Sequence, residues 1–200
     1  VNTSGGNINL RGINQNALST NLYSFDAGAG SFTLSNTINS AANISISANN
    51  ISFAQGLGAS TSLGNVTLNS TNSLSLPAIT TAAGKTVSAT VTGAGNSITT
   101  TGAIATGAAG NITLTADDLV LGANLSGTGT LTLKPNASTQ ALKVGGAYTG
   151  VSAGYMTLST TELGYFLNGW SLINIGNILT SNYSYFGTES WSDPVNFLSA

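Results

Sequence analysis

Short apolar segments return about every 22 residues along this chain, and few folds accommodate such a step. Asn7-Ile8-Asn9-Leu10, Asn43-Ile44-Ser45-Ile46, Asn65-Val66-Thr67-Leu68 and Asn111-Ile112-Thr113-Leu114 all read Asn, apolar, polar, apolar. Three apolar tracks run through the middle of the chain: Ile44, Val66, Ala89 and Ile112; Ile51, Leu74, Ile98 and Leu119; Leu57, Ile79, Ile104 and Leu125. In the first, Val87 or Val91 can stand in for Ala89. Within each segment the alternation has period two, as in Val66-Thr67-Leu68 and Leu131-Thr132-Leu133. That is the pattern of a half-buried strand, whose successive side chains point to opposite faces. The segments are too short for helices, and the clusters between them, such as Gly93-Ala94-Gly95-Asn96, are turn chemistry.

Three short strands per repeat of about 22 residues describe an all-β parallel β-helix, a solenoid in which each strand pairs with its counterpart one coil later. At a strand spacing of ~4.8 Å, nine such coils make a rod on the order of 40 Å long. A β-sandwich with Ser/Thr-rich strands is the competing architecture; it does not require so regular a step. The solenoid also explains why Gly, Ser, Thr and Asn supply half of the residues. Outward Thr and Ser suit strand geometry, while Asn and Gly suit corners with unusual backbone angles, where Asn side chains can also stack in ladders down the coil.

The composition excludes much chemistry. With no His and no Cys there is no Ser-His-Asp triad, Cys-His pair, usual zinc site or imidazole switch. Arg11, Lys85, Lys134 and Lys143 are isolated and the net charge is −2, which argues against nucleic acid. No apolar run approaches the roughly 20 residues of a membrane span. A chain so poor in charge, with mean hydropathy of +0.22, lacks the signature of disorder. The reading is of a protein that is not an enzyme, with no cofactor and no metal.

Aromatic residues divide the chain. None occurs from 54 to 147, and ten fall between Tyr148 and Phe197. Residues 1–140 therefore read as regular coils and 141–200 as less regular, aromatic-rich coils of the same domain. Ser159-Thr160-Thr161-Glu162 has capping-box form, and Leu163, Phe166, Leu167 and Trp170 follow at i, i+3, i+4 and i+7. This predicts a short helix near 160–167 that packs on the coil.

Several motifs then resemble a known family. Gly5-Gly6-Asn7-Ile8-Asn9-Leu10 and Ala48-Asn49-Asn50-Ile51 are similar to repeats of filamentous-haemagglutinin-type adhesins, large exoproteins of bacterial two-partner secretion. More specific is Gly127-Thr128-Gly129-Thr130-Leu131-Thr132-Leu133-Lys134-Pro135, followed by Val144-Gly145-Gly146, Leu158-Ser159-Thr160-Thr161-Glu162-Leu163, Asn168-Gly169-Trp170-Ser171-Leu172-Ile173-Asn174-Ile175-Gly176 and Asp193-Pro194-Val195. The resemblance implies a right-handed parallel β-helix, export through an outer-membrane two-partner transporter, and attachment to cells or surfaces. With no signal sequence and no counterpart of a secretion domain, the chain reads as an interior stretch of the shaft. The expected role is a rigid, secreted or cell-surface spacer whose partners are cell-surface glycans or proteins, or itself end to end. A self-assembling fibre subunit is the alternative, and a polysaccharide-acting β-helix enzyme a more distant one.

The candidate contacts for a glycan or partner are Trp170, Tyr183, Tyr185 and Trp191; the competing reading packs them in a wider core. Glu189 and Asp193 are the candidate pair for the enzyme alternative. Asp117-Asp118, the only adjacent acidic pair, reads as a solvated corner and not as a calcium site. Thr90/Thr92, Thr113/Thr115 and Thr130/Thr132 are outward pairs of the kind that order water on ice-binding solenoids, although their spacing is irregular. Asn-x-Ser/Thr sequons occur at, for example, Asn43, Asn65, Asn111 and Asn182.

Overall fold

The computed structural model describes residues 1–14, 21–137, 140–147, 154–177 and 184–198. It is a parallel β-solenoid of about eight turns with about 21 residues per coil. The opening coils are built from β1 (Ile8–Leu10), β2 (Ile13–Asn14), β3 (Leu22–Leu34), β4 (Ile38–Asn39) and β5 (Asn43–Phe53). Three regular coils follow: β6 (Val66–Ser70), β7 (Leu74–Leu76) and β8 (Ile79–Thr81); β9 (Val87–Val91), β10 (Ser97–Thr100) and β11 (Ile104–Thr106); β12 (Ile112–Thr115), β13 (Asp118–Leu121) and β14 (Leu125–Ser126). The last part holds β15 (Thr130–Lys134), β16 (Ala141–Val144), β17 (Tyr155–Leu158), α1 (Thr160–Leu163), β18 (Leu172–Gly176), β19 (Ser184–Phe186) and β20 (Val195–Leu198).

The first face is one nine-stranded parallel sheet in the order β1-β3-β5-β6-β9-β12-β15-β18-β20. Its inward positions form two apolar columns. Ile44, Val66, Val87, Ile112, Leu131 and Ile173 occupy one, and Ile46, Leu68, Ala89, Leu114, Leu133 and Ile175 the other. Val87 is thus the first-track member, and Ala89 belongs to the neighbouring column; both point inward, two residues apart. The third track holds as read, since Leu57, Ile79, Ile104 and Leu125 are successive partners. On the second track Leu74, Ile98 and Leu119 pair, but Ile51 pairs with Phe32 on the first face instead. The cause is length: β3 and β5 run unbroken through what later becomes a corner, with register shifts around Gly28. β7 touches β5 without joining it in a ladder.

Between coils, Asn side chains take over the hydrogen bonds that corners leave open. Asn43 Oδ1 accepts from Asn65 N (2.8 Å), Asn65 Oδ1 from Thr86 N (3.0 Å) and Asn111 Oδ1 from Thr130 N (2.6 Å). Such contacts need room. A Cβ on Gly64 would lie 2.5 Å from Asn43 Oδ1, so glycine is required there for close approach, not for its backbone angle.

The regular step fails after β15, whose next partner β18 lies 42 residues on instead of about 21. The second face explains the excess. β16 pairs with β17 on one side and β19 on the other, giving the spatial order β17-β16-β19. β17 in turn lies against β13. The chain therefore sets β16 one level ahead, comes back to fill the empty level with β17, and reaches the third face where Phe166 bridges Leu125.

No backbone ladder joins β13 to β17 among the described residues; two carboxylates close that seam. Asp118 Oδ1 accepts from Thr157 N (2.8 Å) and Thr157 Oγ1 (3.2 Å), and Glu162 Oε1 accepts from Leu121 N (2.9 Å). The capping box is present as read, with Glu162 Oε2 accepting from Ser159 N at 2.8 Å and Ser159 Oγ from Glu162 N. The helix, however, spans only Thr160–Leu163 and not 160–167. Phe166 must reach Leu125 as an extended residue, so the apolar spacing that reads as a helix face marks the passage onto the third face.

Asp117 and Asp118 are both buried, which corrects their reading as a solvated corner. Asp117 accepts from Gly95 N (2.7 Å) in the coil before and Ala137 N (3.1 Å) in the coil after. Carboxylates survive burial when backbone N–H groups satisfy them.

Candidate functional site

A concavity lies where the coil departs from its regular form. An open groove of about 280 Å³ runs between the turn that follows α1 and the segment Glu189–Asp193, floored partly by Ile173. Phe166 and Trp191 line it, with ring centroids 6.4 Å apart, and Phe197 meets the Trp191 ring edge-on at 5.8 Å. The half-buried Trp191 is thus braced by two rings yet remains partly open to solvent.

The polar side of the groove is fixed from beneath. Gly146 N donates to Thr160 Oγ1 (2.9 Å), and Thr160 Oγ1 donates to Glu189 Oε1 (2.6 Å). The Glu189 chain crosses Gly145, where a Cβ would lie 2.6 Å from Oε1. Asp193 is engaged differently: its carboxylate accepts from Gly169 N and Trp170 N, all at 3.1 Å. This locks the Asn168-Gly169-Trp170 stretch against the later Asp193-Pro194-Val195 stretch. Asn168, Ser190 and Ser192 are exposed along the rim. The described lining contains two carboxylates and neither lysine nor arginine.

The four sequence candidates separate. Trp191 lines the groove. Trp170 is 2% exposed and packs in the core, its ring over Gly127, where a Cβ would lie 2.7 Å from Cη2 and Cζ3. Tyr185 sits in β19 opposite Lys143 of β16, and Tyr183 lies outside the described residues. Glu189 and Asp193 do line one groove, but the Asp193 carboxylate is committed to two backbone N–H groups. Phe166, Asn168, Ser190 and Ser192 were not singled out as site residues. Their sequence signal is faint: the aromatic enrichment after Tyr148 marks the region, but only folding sets Phe166 beside Trp191.

The Thr pairs do not stack as pairs. Thr113 neighbours Thr132 and Thr90 neighbours Thr115, whereas Thr130 faces Leu172. Instead the first face carries one uncharged outward column of Ser45, Thr67, Ser88, Thr113, Thr132 and Asn174. The sequons at Asn43, Asn65 and Asn111 carry the coil-bridging amides, and Asn182 lies outside the described residues. Among the described residues no group of three or more Asp or Glu is placed to hold a metal ion, and no helix is long and apolar enough to cross a membrane. No family model, no curated protein and no solved structure matches this chain.

Proposed function

We propose that this chain is a rigid, non-enzymatic β-helical segment of a large secreted bacterial surface adhesin, a shaft that contributes to attachment to cells or surfaces. The observation that carries the reading is the nine-stranded parallel sheet, with apolar columns inside and an uncharged Ser/Thr/Asn column outside. Stacked coils resist bending because each buries its apolar face only against its neighbours. A charge-poor hydroxyl surface stays hydrated without repelling a negatively charged cell. The similarity of the Gly127–Pro135 stretch to two-partner secretion exoproteins supports the extracellular assignment and export through a two-partner transporter. Beads coated with the purified chain should adhere to host cells or abiotic surfaces above albumin-coated controls; adhesion equal to the controls on all of them rejects the attachment role.

A second reading, a self-assembling extracellular fibre subunit, draws on the parallel ladder itself. In the nine-stranded sheet each coil templates the next through its backbone groups, and the same pairing can operate between copies of the chain. Light scattering and electron microscopy over a concentration series separate the two: filaments that lengthen with concentration favour the fibre, a monodisperse monomer the shaft.

A further inference from the structure

We propose that the groove between Phe166, Trp191 and Glu189 binds an uncharged or amino-bearing saccharide and rejects acidic ones. The proposal deepens the attachment reading by naming what this segment holds, and it rests on that reading for its biological setting.

Three observations carry it. The first is a partly open aromatic ring held in place: Trp191 is braced by Phe166 and Phe197, so its orientation is set before a ligand arrives. The C–H face of a pyranose is apolar and stacks on such a ring, and a preset ring loses little freedom when it does so. The second is the Glu189 carboxylate. Oε1 is tied to Thr160 Oγ1, which in turn receives Gly146 N, and Glu189 lines the same groove as Trp191 with the acceptor capacity of its second oxygen still to use. A fixed carboxylate accepts from sugar hydroxyls, and more strongly from an ammonium group. Asn168, Ser190 and Ser192 add an amide and two hydroxyls at the exposed rim, the mixed donors and acceptors that a polyol needs.

The third observation is charge. Glu189 and Asp193 line the groove and no basic residue does among those described. A sialic or uronic acid would bring a third carboxylate into that field with no cation to meet it, and like charges at a few ångströms are disfavoured. Peptides fit less well: strand addition needs an unpaired sheet edge, and the one strand residue in the lining, Ile173 of β18, lies between β15 and β20.

The test uses the intact chain. Tryptophan fluorescence and isothermal titration calorimetry are run with a neutral disaccharide, a glucosamine oligomer, and sialyllactose or a galacturonate oligomer. Dissociation constants of about 1 mM are expected for the neutral sugar, as suits a half-open groove with few contacts. The glucosamine oligomer should bind several-fold tighter at low salt. Trp191→Ala should weaken both by about tenfold or more, given the stacking it removes. Because Trp191 also supports Phe166 and Phe197, Glu189→Gln serves as the second variant. Its amide oxygen can still accept from Thr160, so the groove keeps its form; neutral-sugar binding should weaken by a few-fold, as a charged acceptor becomes a neutral one, and the preference for the amino sugar should be lost. Far-UV circular dichroism monitors folding of both. Acidic sugars binding as well as neutral ones, or no saccharide perturbing the tryptophan signal at tens of millimolar, overturns the proposal. Sugar binding without cell attachment supports the groove and removes the attachment reading; attachment that free neutral and amino sugars do not inhibit, in a chain that binds none of them, does the reverse.

Discussion

At the scale of single residues, the buried aspartates show what local sequence hides. Acidic side chains are seldom fully buried, so Asp117-Asp118 reads as surface. Their partners lie a coil away in each direction for Asp117 and across the β13–β17 seam for Asp118. Burial pushes the Asp118 carboxyl up from 3.8 to about 6; hydrogen bonds from Thr157 and the Leu119 backbone oppose the shift, and the nearby Glu162 charge adds to it. The folded chain therefore holds this proton more tightly than the unfolded chain does. The stability it contributes is complete below about pH 4 and is lost as pH rises through about 6. Acidification from pH 7.5 to 5 should raise the thermal midpoint, with Asp118 contributing about 1 kcal/mol. In Asp118→Asn that contribution should vanish, because the amide does not titrate, while its oxygen can still accept from Thr157 N; melting curves at the two pH values check this.

Trp170 gives a second residue-scale expectation. Its ring occupies the space that a Gly127 side chain would need. Gly127→Ala should lower stability by about 1–3 kcal/mol through overpacking. Denaturant titration reads this as a lower midpoint with unchanged slope.

At the scale of elements, alternation identifies the strands but not which of two inward positions faces a given neighbour. Val87 and Ala89 point the same way, and only the ladder sets Ala89 between Leu68 and Leu114. Ala89 is fully buried beneath these two larger residues, so its small size is a packing choice. Ala89→Leu should destabilise by about 1–3 kcal/mol despite raising hydrophobicity, measured by urea unfolding. The third-face track was legible because each of β8, β11 and β14 opens on one fully buried large apolar residue, Ile79, Ile104 and Leu125. The groove was not, since it depends on α1 ending after one turn at Leu163, so that the chain from Gly164 onward can extend toward β14. The β13–β17 seam is held by side chains and, among the described residues, not by a ladder. Glu162→Ala should speed hydrogen exchange at Leu121 and Ser159, whose N–H groups it now receives, and leave the β9 amides unchanged.

At the scale of the whole molecule, the repeat was legible from Val66 to Leu125 because each coil there has the same three-strand plan; before it, β5 runs on past the corner and takes Ile51 onto the first face. It was not legible after β15, where the 42-residue interval hides two levels of the second face in reversed order. Repeat architectures take their stability from nearest-neighbour contacts, so a break in one face divides the rod into regions of different local stability. The side with β16, β17 and β19 should open first on heating.

That reversed order also bears on how the rod can be made. A regular solenoid lets every new strand settle on one already in place as the chain emerges, so growth proceeds in a single pass. Here β16 arrives before the level beneath it exists, and β17 supplies that level later from downstream. Growth halts at β15 until Tyr155–Leu158 has emerged, and then β16 and β17 lock together: the chain carries a built-in waiting point. Pulse-labelled refolding should find the Ile112–Thr115 amides protected first and those of β16 and β17 protected later and in one step.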